Sequence, residues 1–421
     1  MQNVRLYIRK VIQENFIPTE AKRMKLKMFI PNNIFKIKDI LQANGHELYI
    51  VGGAVRDALL GKKPKDYDLV TDATYEEIQS LFKNQPFVKK FLTIGEKFAI
   101  SFLITTDGDY ELATYRSDVG GGRKSTVKYE KSLKKDVERR DFTINAMAYD
   151  IDTQEVVDYV GGLDDIQNGV LNAVGKPEER FIDDPLRKLR AVRFAARTNS
   201  SLSKDTEKAL LDSNSMVDIN GGIVSRERRK EEFFKGIKTA KTVKYYLSLL
   251  KKFHLLEKIF EGIPINYNSV DFFESRNPII VVAGILENVF NFSDIQKTEK
   301  ELASLKYSNK NGNMEIPRII FLLMLNNIWE HKIFDPIAFY NLKKRYLLIQ
   351  PFAVQDIREF ANLKHIDKNF IKALIQFFEY KLTNKDKEEI LKNAEIVKGP
   401  KFGEKIKEKE YDFFKDIYKK K

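Results

Sequence analysis

Between residues 31 and 180 the spacing of apolar positions switches repeatedly between helical and extended periods. IFKIKDILQANG has helical spacing and a stop at Gly45. ELYIV predicts a buried strand, VRDALL a short helix ended by Gly61, and TYEEIQSLF a helix opened by a capping box of Thr74 and Glu77. FAISFLITTDGDYELATYR predicts a hairpin turned at Asp107-Gly108. RSDVGGGRKSTVKYEKSLKKD, rich in glycine and lysine, predicts a mobile loop. From Asp184 onward the strand signals fade. PLRKLRAVRFAAR, SRERRKEEFFKGI, VKYYLSLLKKF and IPRIIFLLMLNNIWEH all carry helical periodicity, and KIKEKEYDFFKDIYKKK reads as a charged tail with a few apolar anchors. The pattern predicts an α+β head, a mixed sheet with helices, followed by an all-helical remainder without a fixed-period repeat.

Length and composition narrow this picture. A chain of 421 residues has room for two to four domains, and 43% hydrophobic residues exclude a disordered chain. There is no cysteine, hence no disulfide and no thiolate metal site, which fits a reducing compartment. No apolar run approaches the ~20 residues of a membrane span. The basic N-terminal stretch has no long apolar core. Together with Glu14 and Glu20 this argues against a targeting peptide, and it reads as an extra helix. The expectation is a cytoplasmic protein with no membrane association and no obligatory protein partner. The formal net charge of +13 suits a polyanionic partner, although the scattered lysines also suit a lysine-rich composition.

Two features carry chemistry. After the ELYIV strand, Gly52-Gly53 allows a sharp turn with exposed N–H groups at a helix start, and Arg56 adds a forked donor suited to phosphate oxygens. The same pair also suits a plain turn. In KDYDLVTDA, strand alternation puts Asp66 and Asp68 on one face and Tyr67 and Leu69 on the other. Two like charges on one face repel unless a cation lies between them, and Mg²⁺ prefers a few carboxylates plus substrate phosphates. The alternative is a solvated edge strand with two surface aspartates. A phosphate cradle a short way before a carboxylate pair is what nucleotidyl transfer needs, and Glu111 on a later strand is the candidate third carboxylate.

With these residues in place, LYIVGGAVRDALLG…KDYDLVTDAT, VERRDFTINAMAYD and RFIDDPLRKLRAVRFAAR resemble the tRNA nucleotidyltransferase and poly(A) polymerase family, in its bacterial-type (class II) branch. The matching segments run in family order from about Leu48 to Arg197. The resemblance implies a polymerase-β-like nucleotidyltransferase head over residues 31–180 and a helical neck with the base-selecting motif over 181–240. A helical body and tail that bind RNA would fill 241–421, with residues 1–30 as an extension. It also implies Mg²⁺ on Asp66 and Asp68, triphosphate on the Gly52-Gly53 turn and Arg56, and nucleotide contacts from Arg140 and Asp141, the latter toward the sugar. Asn145 is expected inside a hydrophobic helix that follows Asp141.

The third segment bears on base choice. Asp184 suits a helix N-cap and Pro185 the first helical position. The resemblance gives Asp184 and Arg187 a second task as an amino-acid template. Cytosine and adenine both present an amino donor beside a ring acceptor, which one acid and one arginine can read. A spacing of three on a helix keeps the two together. The family form of the motif begins with Glu where this chain has Asp183. Arg190 and Arg193 match further nucleotide-contacting arginines. The segment between Arg116 and Asp136 corresponds to a flexible family loop that helps the site switch from C to A. It is short here and keeps Asp118 and Arg123-Lys124. Ser225 resembles a family helix start, and Gly399 and Gly403 a tail element that would approach RNA phosphates or simply turn. His46, His254, His331 and His365 form no His-Asp doublet, so the phosphohydrolase domain of some members is not expected. The resemblance implies addition of CCA to the 3′ end of tRNA from CTP and ATP. Poly(A) synthesis, or a CC-adding or A-adding specialist, is the alternative.

Overall fold

The computed structural model describes residues 20–93, 100–119, 126–265, 274–288, 290–309, 313–393 and 400–419. The chain divides into two compact units, Met1–Val224 and Ser225–Lys421. The N-terminal helix expected before residue 20, Arg123-Lys124 and Gly399 lie outside the described residues.

The first unit is built on a mixed sheet. Its strands in chain order are β1 (Lys22–Lys25), β2 (Leu48–Val51), β3 (Asp68–Thr71), β4 (Val88–Thr93), β5 (Ile100–Thr105) and β6 (Asp109–Thr114). A separate hairpin of β7 (Arg116–Val119) and β8 (Thr126–Tyr129) precedes β9 (Ala148–Asp150) and β10 (Glu155–Asp158). The eight-stranded sheet has the order β1-β10-β9-β2-β3-β6-β5-β4. Neighbours are antiparallel except β3 and β6, which run parallel with Asp68 opposite Glu111.

The period of two in these strands gives the sheet two buried faces. Ile50, Leu69 and Leu112 face the helices Asn32–Ala43 and Tyr75–Phe82 through Ile34, Ile37, Leu41, Ile78 and Phe82. Val51, Val70 and Ala113 face the other way, against Leu133 and Val137 of the helix Leu133–Glu138. Asp68 and Glu111 have the parity of Val70 and Ala113, so both carboxylates emerge on that second face, where their strands begin. The Thr74–Glu77 capping box forms as expected, and Gly45 and Gly61 end their helices at positive φ of 81° and 69°.

Several expectations are corrected. Lys22–Lys25 is an edge strand paired with β10 rather than part of a helix: all four residues are exposed, so ladder bonds and not an apolar face hold the segment. The supposed loop after Arg116 contains the β7–β8 ladder, because its Thr, Val and Tyr residues pair across the glycines. The segment with Asn145 is a single 3-10 turn, Thr143–Asn145, that leads into β9. Sheet pairing to β2 and β10 overrides its local helical look.

The second unit is helical. Ser225 caps the helix Arg226–Thr239 by accepting from the Arg228 N–H at 3.4 Å, as its sequence suggests. The helix Pro278–Leu286 is buried on every side. Phe339, Phe370, Phe377, Tyr411 and Phe414 form an aromatic cluster that fastens the last helix, Pro400–Lys419, so the expected charged tail is an ordered amphipathic helix with Gly403 inside it. Among the described residues no helix is long and apolar enough to cross a membrane.

Candidate active site

The site grows out of the end of β2. Gly52 follows Val51 with φ 73° and ψ −128°, a conformation closed to residues with a Cβ. A Cβ there would also stand 3.5 Å from both Arg140 Nη1 and Asp68 Oδ2. The turn therefore brings a backbone edge, a cation and a carboxylate to one point. Gly53 opens the helix Gly53–Leu59, which buries Arg56. Arg56 donates from Nε and Nη2 to Asp57 Oδ1 at 2.9 and 2.7 Å, and from Nη1 to Asn145 Oδ1. Burial holds this guanidinium below its ordinary pKa, against the pull of Asp57. The other Asp57 oxygen accepts from Arg197 Nη2 at 2.8 Å.

The carboxylates stand beside that turn. Asp66 and Asp68 are exposed while Tyr67 and Leu69 are buried, so the alternation read from the sequence holds, although Asp66 lies just before β3. The surrounding protein pushes the Asp68 carboxyl above its ordinary value; Arg140 opposes this and Asp66 adds to it. Burial likewise pushes Glu111 up, and Asp68 adds to it. The carboxylates thus repel one another across the β3–β6 register, and an all-oxygen set of this kind suits a hard divalent cation. Among the described residues no three acidic, imidazole or thiol groups are gathered as a finished metal site. A hard divalent cation that also takes substrate phosphates and water needs no more than a pair of carboxylates from the protein.

The opposite wall is a set of arginines braced by aspartates. Asp136, fully buried, accepts from Arg139 Nε at 3.0 Å and from Arg140 Nε and Nη2 at 3.3 and 2.9 Å. Asp141 accepts from Arg190 Nε and Nη2 at 2.7 and 2.5 Å and from the Phe142 N–H at 2.9 Å. Its carboxylate is buried and committed to Arg190, and so braces the wall. Burial would raise both carboxyls, but the arginines outweigh it and hold them below the usual carboxylate range. A depressed carboxyl pKa stabilises the fold above the ordinary value of about 3.9, and the contribution disappears as pH falls through the depressed one. The melting-temperature gap between wild type and Asp141→Asn is therefore expected to be widest near neutral pH and to close as pH is lowered below about 4. A gap independent of pH would show that the Asp141–Arg190 pair does not carry this linkage.

The helix Leu186–Thr198 presents the remaining groups. Asp184 Oδ1 accepts from the Leu186 N–H at 3.3 Å, although the N-cap position falls on Pro185 rather than on Asp184 as expected. Arg187 donates from Nη2 to the Arg139 carbonyl at 3.1 Å, and its Nη1 is buried with no hydrogen-bond partner among the described residues. The Arg193 guanidinium lies 4.1 Å from the centre of the Phe194 ring, with those of Arg190 and Arg56 at 5.3 and 5.4 Å.

These elements enclose a cavity of about 440 Å³. Gly52, Gly53, Arg56, Asp68, Arg140, Asp141, Asp184, Arg187, Arg190 and Arg193 are among its lining residues. Asp66, Glu111 and Asp183 do not line it. Sequence reasoning missed Arg139, Asn145, Phe194 and Arg197. Arg139 and Arg197 stood in the quoted motifs, and the signal for them was the arginine repeat itself. Asn145 and Phe194 stood in the same motifs, with no feature of their own that pointed to the cavity. Seven arginines face three aspartates, so the cavity is strongly cationic and suited to a polyanionic ligand.

Residues 48–172, which hold the glycine turn, the carboxylates and Asp141, match the family described as Poly A polymerase head domain. Residues 48–172 are thus similar to a poly(A) polymerase head domain. Relatives of this poly(A) polymerase head include Poly(A) polymerase I of Salmonella typhi, 34% identical over 59% of this chain and 53% of that protein. The CCA-adding enzyme of Bacillus subtilis (strain 168) is 40% identical over 47% of each chain. The chain thus spans about half the length of the curated relatives it matches. The solved CCA-adding enzyme of Bacillus stearothermophilus in complex with CTP has a TM-score of 0.58 at 23% identity, over 91% of this chain and all of that one. That of Thermotoga maritima with tRNA has a TM-score of 0.59 at 19% identity, over 92% and 95%. The mixed-sheet head followed by helices is therefore the fold of CCA-adding enzymes.

Proposed function

We propose that the chain adds CCA to the 3′ end of tRNA from CTP and ATP, releasing pyrophosphate without a nucleic-acid template. The observation that carries this reading is the cationic cavity around Gly52, with Asp68 at its rim and an Asp184–Arg187 pair opposite. The positive-φ turn at Gly52 lets phosphate approach the backbone, and Arg56, Arg140 and their neighbours receive the triphosphate charge. Mg²⁺ held by Asp66 and Asp68, with Glu111 beside them, would lower the pKa of the attacking hydroxyl and neutralise charge on the leaving pyrophosphate. The tRNA 3′ hydroxyl attacks the α-phosphorus, which this wall of arginines keeps oriented. Asp184 accepts from the base amino group, and the unpartnered Nη1 of Arg187 donates to the neighbouring ring acceptor. Uracil and guanine place an N–H against that donor and are refused. The solved relatives that hold CTP and tRNA support the choice of substrates.

A second reading, poly(A) synthesis, is favoured by the 34% identity to Poly(A) polymerase I. One assay separates the two. A tRNA transcript ending at the discriminator base is incubated with Mg²⁺ and CTP, ATP or both, and product length is read to the nucleotide. CCA addition predicts two additions with CTP alone and three with both. A long ladder with ATP alone would establish a poly(A) polymerase, and arrest at two with both nucleotides a CC-adding enzyme.

A further inference from the structure

Asp136 lies outside the cavity lining, yet two of the cavity's arginines meet on it. It sits in the helix Leu133–Glu138, fully buried, with Leu133 and Val137 of the same helix packed under the sheet. One oxygen accepts from Arg139 Nε at 3.0 Å and from the Arg116 N–H at 3.4 Å; the other accepts from Arg140 Nε and Nη2 at 3.3 and 2.9 Å. Burying a charge is costly unless it is paired, so both guanidiniums are held where this carboxylate puts them. For Arg140 the consequence is directional. Nε and Nη2 are taken by Asp136, and Nη1 is the nitrogen turned to the Gly52 turn, where Asp68 Oδ2 also points. For Arg139 the consequence is carried by its backbone, whose carbonyl receives Arg187 Nη2 at 3.1 Å. One buried carboxylate therefore braces the segment that serves both the phosphate side and the base side of the cavity.

We infer that Asp136 is a positioning residue for nucleotide binding: by fixing the plane of Arg140 and the backbone of Arg139, it sets the affinity for a nucleoside triphosphate that it does not touch. The inference rests on the reading that the cavity takes CTP and ATP. A purely structural role would lower stability and leave nucleotide affinity to the arginines themselves, so the two roles separate in a double-mutant cycle.

The test measures CTP binding by calorimetry, together with KM and kcat for CTP addition, in wild type, Asp136→Asn, Arg140→Ala and the double variant. Circular dichroism checks each fold. Asp136→Asn is expected to raise both the CTP dissociation constant and KM by about 10- to 100-fold, the scale of a lost charge-assisted hydrogen bond. kcat at saturating CTP should change less. On the Arg140→Ala background the same substitution should cost several-fold less than in wild type, because the Arg140 guanidinium is gone and only the path through the Arg139 backbone is left. Asp136→Glu, which keeps the charge, should recover part of the lost affinity, and it replaces Asp136→Asn in the cycle if that variant does not fold. Unchanged CTP affinity in the single variant, or fully additive losses in the double one, would overturn the inference while leaving the functional reading intact. Wild-type protein that binds neither CTP nor ATP would overturn the functional reading and the inference with it.

Discussion

Asp68→Asn is expected to remove nucleotide incorporation by at least about 10³-fold while the head melts no earlier than wild type. The first half follows from its place. Asp68 begins β3 opposite Glu111, faces the same turn as Arg140, and is the carboxylate of the proposed metal pair that lines the cavity. The second half follows from sign. The surrounding protein raises the Asp68 carboxyl, with Asp66 adding to the effect and Arg140 opposing it. Glu111 is raised by burial and then by Asp68. A carboxyl whose pKa is higher in the folded protein than in the unfolded chain destabilises the fold when ionised, and the penalty is relieved as pH falls through the raised value. Asparagine removes that charge at every pH. Primer extension on a tRNA transcript with CTP, beside a thermal melt at neutral pH, checks both halves, and gel shift with the same tRNA checks that RNA binding survives. Turnover near the wild-type rate would take the metal role from Asp68. A melting temperature well below wild type would mean that the carboxylate supports the fold instead of straining it.

The site has two electrostatic halves. On the sheet side, Asp68 and Glu111 are raised, first by the protein that surrounds them and then by a neighbouring carboxylate. On the helix side, Asp136 and Asp141 are lowered because arginines surround them. The strain lies where chemistry is proposed, and the stabilising pairs hold the groups that would bind the nucleotide. Asp57 shows the pattern again, with Arg56 on one oxygen and Arg197 on the other. Each of these aspartates spends binding capacity on holding an arginine still, which lowers the cost of ordering it around a ligand.

Much of this was legible in the sequence. Period-two alternation placed Asp66 and Asp68 on one face, and the Gly52-Gly53 pair marked a turn that does need a positive φ at Gly52. The helix Leu186–Thr198 was readable from its apolar spacing. The bracing was not. Asp57, Asp136 and Asn145 meet their partners through the fold: Arg197 reaches Asp57 across 140 positions of sequence, and Arg56 reaches Asn145 across 89. The turn at Thr143–Asn145 was hidden for a related reason, since β9 owes its form to partners on both sides and its own residues do not mark a strand. Nor did the lysine-rich segment after Arg116 announce a ladder, because cross-strand pairing of β7 with β8 leaves no helical or long apolar signature.

Arg187→Ala is expected to blur base choice more than it slows addition. Arg187 is held by the Arg139 carbonyl at 3.1 Å through Nη2, while its buried Nη1 has no partner among the described residues. A buried donor without an acceptor costs the fold free energy unless a ligand supplies one, and a pyrimidine or purine ring nitrogen does. A correct base satisfies that donor and an incorrect one leaves it unpaired or faces it with another N–H. A directional pair of this kind is worth about 1–3 kcal/mol of discrimination, roughly 5- to 150-fold in relative kcat/KM. Alanine removes the donor, so the preference for CTP and ATP over UTP and GTP should shrink by about that factor. The absolute rate with CTP should fall less than in Asp68→Asn, because the phosphate-side groups remain. Competition assays with all four nucleotides on one tRNA transcript measure the ratio directly. Unchanged selectivity with reduced rate would place Arg187 on the phosphates or on the architecture of the helix start, and base choice would then belong to Asp184 or to groups elsewhere in the cavity.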